Sequence, residues 1–339
     1  MGNFILPDGS VSCNPLIDAH GRIITYLRLS VTDRCNFHCQ YCQPDGPANI
    51  LPRSELLTYE EMERLVRLLT SMGVHKVRLT GGEPFTRKGL VSFIDRIKQV
   101  QGVRDVAITT NGSLAIDHIQ QLEKIGVSAI NFSLDTLSPQ RFQEITGQDC
   151  FHQVFTSILA AIMTTMKVKI NVVVLDENTD ELNDLAMLAR DYPVDVRFIE
   201  TMPFNGQQQN RQGALNHATI KQYIKDSFTD VVSLLPVDST TAQSYKVRGF
   251  QGTLGVIGGR SRCFCQQCNK VRITPQGTLK TCLYDDGALD LKMMLRSGDS
   301  DRDIEKAIRQ AVRVRHEDGA TAERKRQTKD GRTMATIGG

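Results

Sequence analysis

Six cysteines fall into two sets whose spacing could do chemistry. In Cys35-Asn36-Phe37-His38-Cys39-Gln40-Tyr41-Cys42 three thiols stand at CxxxCxxC. Thiolates this close along the chain converge on one metal centre, because the loop between them is too short to place them elsewhere. Four ligands would close such a site, as in structural zinc or an electron-transfer cluster. Three leave a position open, and an iron–sulfur cluster with one iron not held by protein is a place to do chemistry. The second set is Cys265-Gln266-Gln267-Cys268 with Cys282 further on. It too offers three ligands and no evident fourth, since Cys263 and Cys265 would diverge in an extended segment. The alternative reading of both sets is zinc: a knuckle one ligand short at the first, and at the second a ribbon completed by Cys263 or a histidine.

Something must position these thiols. Short β-branched runs alternate with stretches of helical period. The strand candidates are Ile23–Val31, Lys76–Thr80, Asp105–Thr109, Ala129–Leu134, Val168–Leu175 and Val194–Ile199. Between them Tyr59–Met72, Lys88–Val100, Ile116–Ile125, Gln153–Met166 and Glu181–Arg190 read as helices. Near-continuous apolar strands separated by amphipathic helices predict a parallel sheet covered by helices. The fold class is therefore α/β, a partial (β/α)6 TIM-like barrel over residues 22–200. Active sites of such barrels gather at the carboxyl ends of the strands, and the CxxxCxxC loop follows the first strand. Residues 1–21 read as an irregular N-terminal arm, and 201–315 as a C-terminal region carrying the second cysteine set. That region holds helix candidates near His217–Lys225, Leu289–Leu295 and Arg302–Val314, and Gln207 to Asn210 falls in a long loop. The stretch 316–339 is polar and basic and reads as a mobile tail.

Composition narrows the classes. The 339 residues are 40% hydrophobic and 23% charged, ordinary for a soluble globular chain. A formal net charge of +3 makes no case for nucleic acid as a partner, though it leaves room for a local basic lining. Nine cysteines, an odd and clustered set, argue against a disulfide framework and for reduced, metal-holding thiols in the cytoplasm. No signal peptide is expected from the first residues, and no apolar run approaches membrane-spanning length, so no membrane partner is expected.

CxxxCxxC with an aromatic before its last cysteine resembles the signature of the radical S-adenosylmethionine (SAM) superfamily. The turn Thr80-Gly81-Gly82-Glu83-Pro84 after the second strand is similar to that superfamily's next hallmark. The segments YLRLSVTDRCNFHCQYC, KVRLTGGEP, INFSLDTL, RFIETMPF and CQQCNKVRITPQGTLKTCL, with a terminal Gly338-Gly339, resemble the GTP 3′,8-cyclase family of molybdenum cofactor biosynthesis. The resemblance implies two 4Fe–4S clusters, held by Cys35, Cys39 and Cys42 and by Cys265, Cys268 and Cys282, with SAM on the open iron of the first. It implies SAM contacts at Tyr41, Gly82, Ser133 and Met202. The implied reaction is abstraction of the ribose C3′ hydrogen of GTP by a 5′-deoxyadenosyl radical, then attack of C3′ on C8. The second cluster would hold the guanine, and cyclic pyranopterin monophosphate synthase would take the product onward.

Ordinary electrostatics bears on the substrate. A triphosphate needs several cations on one wall, preferably guanidinium groups with paired donors. Arg28 and Arg78 lie in the first two strands, Thr109 ends the third, and Lys169 lies in the fifth. Lys270 and Arg272 alternate after the second cysteine pair, so a strand would turn both to one side. Those six match GTP-contacting positions of the family, with Arg272 also counted as catalytic. The plain alternative for each cation is a solvated or salt-bridged charge. Arg28, Arg78 and Lys169 sit inside apolar runs, where a buried anion would offset the cost of burying charge. One departure is Lys270, where the family usually has arginine in Asn-Arg-x-Arg; lysine keeps the charge and loses the bidentate fork. Gly338 and Gly339 are, by resemblance, a tail that reaches the active site and promotes turnover. Asp135 reads as a helix cap or local hydrogen-bond acceptor, His38 as exposed, and Cys13 and Cys150 as ordinary thiols. Two rival readings are a peptide-modifying radical SAM enzyme and a zinc-stabilised binding protein. The electron donor and the choice between monomer and homodimer are not fixed by the sequence.

Overall fold

The computed structural model describes residues 4–5, 11–12, 14–43, 50–202, 215–235, 241–262, 264–326 and 334–337. Two short strands, β1 (Phe4–Ile5) and β2 (Val11–Ser12), pair antiparallel. The body is a second sheet. Its centre is six parallel strands: β3 (Tyr26–Ser30), β4 (Lys76–Thr80), β5 (Asp105–Thr110), β6 (Ala129–Ser133), β7 (Lys167–Val173) and β8 (Asp195–Ile199). Each pairs with the next in chain order. The connecting helices are α1 (Tyr59–Ser71), α2 (Leu90–Lys98), α3 (Ile119–Ile125), α4 (Pro139–Thr146), α5 (Phe151–Ile162) and α6 (Leu182–Asp191). This is the expected partial barrel with one helix more. Helix α4 is short and starts at a local signal, Ser138 accepting from Arg141 N with Pro139 at the first helical position.

The strands are not continuously apolar. They alternate, and the alternation makes the site. Leu27, Leu29, Val77, Leu79, Val106, Ile108, Ile130 and Phe132 point outward and are fully buried beneath the helices. In the same strands Tyr26, Arg28, Arg78, Thr109, Asn131, Lys169 and Arg197 occupy the other face. A period of two turns successive side chains to opposite faces. One face thus belongs to a single hydrophobic core with helix residues such as Leu65, Phe93, Ile97, Val154 and Leu185. The other lines a polar chamber.

The C-terminal region completes this sheet rather than standing apart from it. Helix α7 (His217–Ser227) leads to β9 (Val231–Ser233), β10 (Gln243–Val247) and β11 (Thr253–Ile257). Strand β11 pairs parallel with β8. On the opposite edge β12 (Lys270–Ile273) pairs parallel with β3, followed by the antiparallel β13 (Thr278–Lys280) and β14 (Leu289–Asp290). Helices α8 (Leu291–Ser297), α9 (Asp301–Arg313), α10 (Gly319–Arg324) and α11 (Met334–Ile337) follow.

One expectation about the ends is corrected over the described residues. The tail after His316 is packed through residue 326: Arg22 donates to the carbonyls of His316 and Glu317, and Arg262 pairs with Glu323 on α10. Residues 14–21 are irregular but packed, with Leu16 buried and Ile17 bridging Ile23. The packing of the tail was missed because its partner Arg22 lies almost 300 residues away and leaves no local signal. Cys13, Cys263, Gln207 to Asn210, Gly338 and Gly339 lie outside the described residues. No helix among the described residues is long and apolar enough to cross a membrane.

Candidate active site

The first three thiols sit on a loop fixed to its neighbours by backbone bonds. Gly82 N donates to Thr32 O at 2.9 Å and Glu83 N to Arg34 O at 2.7 Å. This clasp requires glycine: a Cβ at position 82 would lie 2.3 Å from Arg34 O and 2.8 Å from Cys35 N. Glu83, fully buried, accepts from Asn111 N, Thr110 Oγ1 and Phe85 N, tying the β4 exit to the β5 exit. Burial raises its carboxyl to about 7. Tyr41 Oη donates to Asp135 Oδ2 at 2.8 Å, while Asp135 Oδ1 accepts from Val173 N at 2.7 Å. Asp135 is thus neither the helix cap nor the local acceptor expected: Ser138 caps α4, and Asp135 joins Tyr41 and Val173, both distant in sequence. His38 is exposed, as expected.

Both cysteine sets open into one cavity of about 370 Å³, lined by Cys35, Cys39, Cys42, Cys265, Cys268 and Cys282. Among the described residues none of the six is in a disulfide, and all six are partly buried. Burial pushes the Cys35 thiol up to about 12, with Glu83 and Cys42 adding to the rise. Cys39 is held well above its ordinary value by burial, then by Asp135, Cys42 and Cys35. Three buried thiols that repel one another as anions fit a multivalent cationic group, which removes both penalties. Cys265 and Cys282 are also raised, chiefly by burial. Cys268 differs: burial would raise it, but Arg315 and Lys270 outweigh that and lower it. Among the described residues no three His, Cys, Asp or Glu are gathered tightly enough for a single metal ion.

Between the two sets runs a basic wall. Arg272, Arg28 and Arg78 are register partners on β12, β3 and β4, three guanidinium groups on adjacent strands facing the same cavity. One step nearer the strand starts, Lys270, Tyr26 and Lys76 form a parallel row. Each lysine Nζ lies 5.4 Å from the Tyr26 ring centroid, and Arg78 Nε donates to Tyr26 Oη. Burial lowers Arg28 to about 9, with Arg272 and Arg78 contributing. Across the cavity Lys169 pairs with Asp195 at 3.3 Å, and Arg197 stands 4.0 Å from the same carboxylate. Burial, then Arg197, lowers Lys169 to about 8. The salt-bridged alternative therefore holds for Lys169 in part, since Asp195 is shared with Arg197. Thr109 accepts from Arg78 Nη1 at 3.2 Å.

Two family models divide the chain: the Radical SAM superfamily matches residues 29–189 and Molybdenum Cofactor Synthesis C matches 194–321. The chain is 39% identical over 303 residues to the GTP 3′,8-cyclase of Syntrophomonas wolfei subsp. wolfei, covering 88% of this chain and 93% of that one.

The chain belongs to the GTP 3′,8-cyclase family.

Molybdenum cofactor biosynthesis protein 1 of Bos taurus is 40% identical over 299 residues, covering 88% of this chain and 47% of its own length. The chain thus spans about half the length of the animal relatives it matches. Among solved structures, Streptococcus suis SuiB bound to its precursor peptide SuiA has a TM-score of 0.63 at 15% identity, covering 92% of this chain and 70% of SuiB. That likeness shows the fold.

In this cyclase-family chain every described residue expected at the site lines the one cavity: Tyr41, Gly82, Ser133, Met202, Arg28, Arg78, Thr109, Lys169, Lys270, Arg272 and the six cysteines. Sequence reasoning missed Arg197, Tyr26 and Arg315. The inward positions of β8 could have revealed Arg197, two residues after Asp195. Tyr26 passed as an apolar strand residue. Arg315 sits at the end of a helix pattern, and only the fold brings it to Cys268.

Proposed function

We propose that this chain is a radical SAM GTP 3′,8-cyclase. The observation that carries the reading is that both cysteine sets and the Arg272–Arg28–Arg78 row face a single cavity. Cys35, Cys39 and Cys42 hold one 4Fe–4S cluster, and Cys265, Cys268 and Cys282 hold a second. With SAM bound and one electron from a reductant, the first cluster would supply a 5′-deoxyadenosyl radical with release of methionine. Loss of the C3′ hydrogen of GTP to that radical, bonding of C3′ to C8, and uptake of one further electron and a proton at N7 would give (8S)-3′,8-cyclo-7,8-dihydroguanosine 5′-triphosphate.

The chain's own residues bind, orient and shield. Arg28, Arg78, Arg272, Lys270 and Lys169 receive the triphosphate, whose charge relieves the repulsion within the row. Thr109 orients Arg78 and faces the nucleotide. Tyr41, anchored on Asp135, flanks the adenine, and Ser133, Met202 and the Gly82 turn complete the SAM pocket. The enclosing wall keeps water and oxygen from the radical. Ile337 is buried and Met334 lines the cavity, so helix α11 reaches the site. The product would pass to a pyranopterin-forming enzyme, and the chain acts without nucleic acid or membrane.

Anaerobic reconstitution followed by SAM, reductant and GTP tests this reading. Formation of 5′-deoxyadenosine that depends on GTP supports it. Zinc without iron and sulfide in the purified chain would favour a zinc-stabilised binding protein instead.

A further inference from the structure

The second cysteine set is gripped from behind by residues of the N-terminal arm and the end of α9. Arg315, with its side chain 3% exposed, donates from Nη2 to Cys268 Sγ at 3.0 Å and from Nη1 to Cys268 O at 2.9 Å. Asp18, fully buried at its side chain, stands 3.7 Å from Arg315 Nη1 and accepts from Arg22 Nε at 2.6 Å. Arg22 in turn donates from Nη1 to Cys265 O at 2.8 Å. Gly319 N points at Cys265 Sγ at 3.4 Å.

A neutral thiol is a weak acceptor and gives a buried guanidinium little compensation for lost water. A thiolate gives a charge-assisted bond. The geometry therefore suits a Cys268 that is ionised and shared with iron. We infer that Arg315 is a positioning residue for the second cluster, donating to Cys268 Sγ and stabilising the cluster's more negative, reduced form, with Asp18 moderating its charge. The inference rests on the reading of Cys265, Cys268 and Cys282 as cluster ligands. Hydrogen bonds to sulfur and nearby net charge are the protein's levers on such potentials. Two opposite effects follow. Removing the cation makes reduction harder, and removing the carboxylate makes it easier.

The test uses the full chain, reconstituted anaerobically, with iron and sulfide counted and each cluster titrated by electron paramagnetic resonance. The signal missing from a Cys282→Ser chain identifies the second cluster. The expected result is a lower midpoint potential for that signal in Arg315→Met, a higher one in Asp18→Asn, an intermediate one in Arg315→Lys, and no change in the first cluster. Two loaded clusters with unmoved potentials in Arg315→Met and Asp18→Asn would overturn the inference. So would a folded chain in which both Arg315→Met and Arg315→Lys lose the second cluster, because Arg315 would then be a strut of the loop. Iron for one cluster in the unmodified chain would instead refute the two-cluster reading itself.

Discussion

Arg28 on β3 and Arg78 on β4 are register partners on adjacent parallel strands, two like charges on one buried face. Neighbouring strands lie about 4.8 Å apart, and Arg272 extends the row on the other side of Arg28. Folding does not need this row, since the outward residues of the same strands make the core. An anion gives it a purpose. Replacing Arg28 by Met should raise the melting temperature of the nucleotide-free chain by relieving repulsion and desolvation. It should also weaken GTP binding by roughly 10–100-fold, the equivalent of losing a charged hydrogen bond of about 1.5–3 kcal/mol. Calorimetry with GTP and a thermal melt check both signs.

Tyr26 should ionise near neutrality. Burial alone would raise its phenol, but Arg78, Arg28 and Lys270 outweigh it and bring it down to about 7 from 10.0. A folded-state value below the unfolded one adds stability that is fully present above pH about 10 and lost as pH falls through about 7. Ultraviolet difference titration should show one of the seven tyrosines ionising near pH 7, absent in Tyr26→Phe. A bound triphosphate should push that transition upward.

Position 270 offers a gain instead of a loss. Lys270 stands where the resemblance implies arginine, and its Nζ lies over the Tyr26 ring beside the Arg272 row. Lys270→Arg should tighten GTP by restoring paired donors. Titration with GTP checks this, and unchanged affinity would mean that the triphosphate does not use this position.

Asp135 joins Tyr41 to β7. Burial raises its carboxyl to about 6 from 3.8, so its contribution to stability is fully present below pH about 4 and lost as pH rises through about 6. Asp135→Leu leaves Tyr41 Oη and Val173 N without their acceptor. The expected cost is about 1–3 kcal/mol per orphaned donor in urea unfolding, together with weaker SAM binding. Asp135→Asn should remove the pH dependence and keep most of the stability.

Gly82→Ala drives a methyl group into the backbone of Arg34 and Cys35, neither of which can yield as a flexible side chain would. Iron analysis should show the first cluster lost or depleted and the second retained.

Much of this was legible along the chain because it is written locally. The six strands fall within a few residues of their expected bounds, since β-branched runs and intervening helices are local patterns. The site positions on β3, β4, β5 and β7 came from the resemblance and from charges set inside apolar runs; the alternation that turns them inward was missed, because the strands read as near-continuously apolar. The join of β12 to β3 was not, nor that of β11 to β8, because pairing across more than 50 residues depends on which edges the completed barrel leaves open. Arg315 and Asp18 were hidden in stretches that read as a helix end and an irregular arm, and Arg22 at the edge of the first strand.

The account turns on GTP lying in the cavity with its C3′ hydrogen presented to the SAM side. The direct measurement is turnover of GTP carrying deuterium at C3′, with the 5′-deoxyadenosine analysed by mass spectrometry. The prediction is transfer of the label into 5′-deoxyadenosine in step with product formation. Unlabelled 5′-deoxyadenosine, or formation at the same rate without GTP, would contradict it.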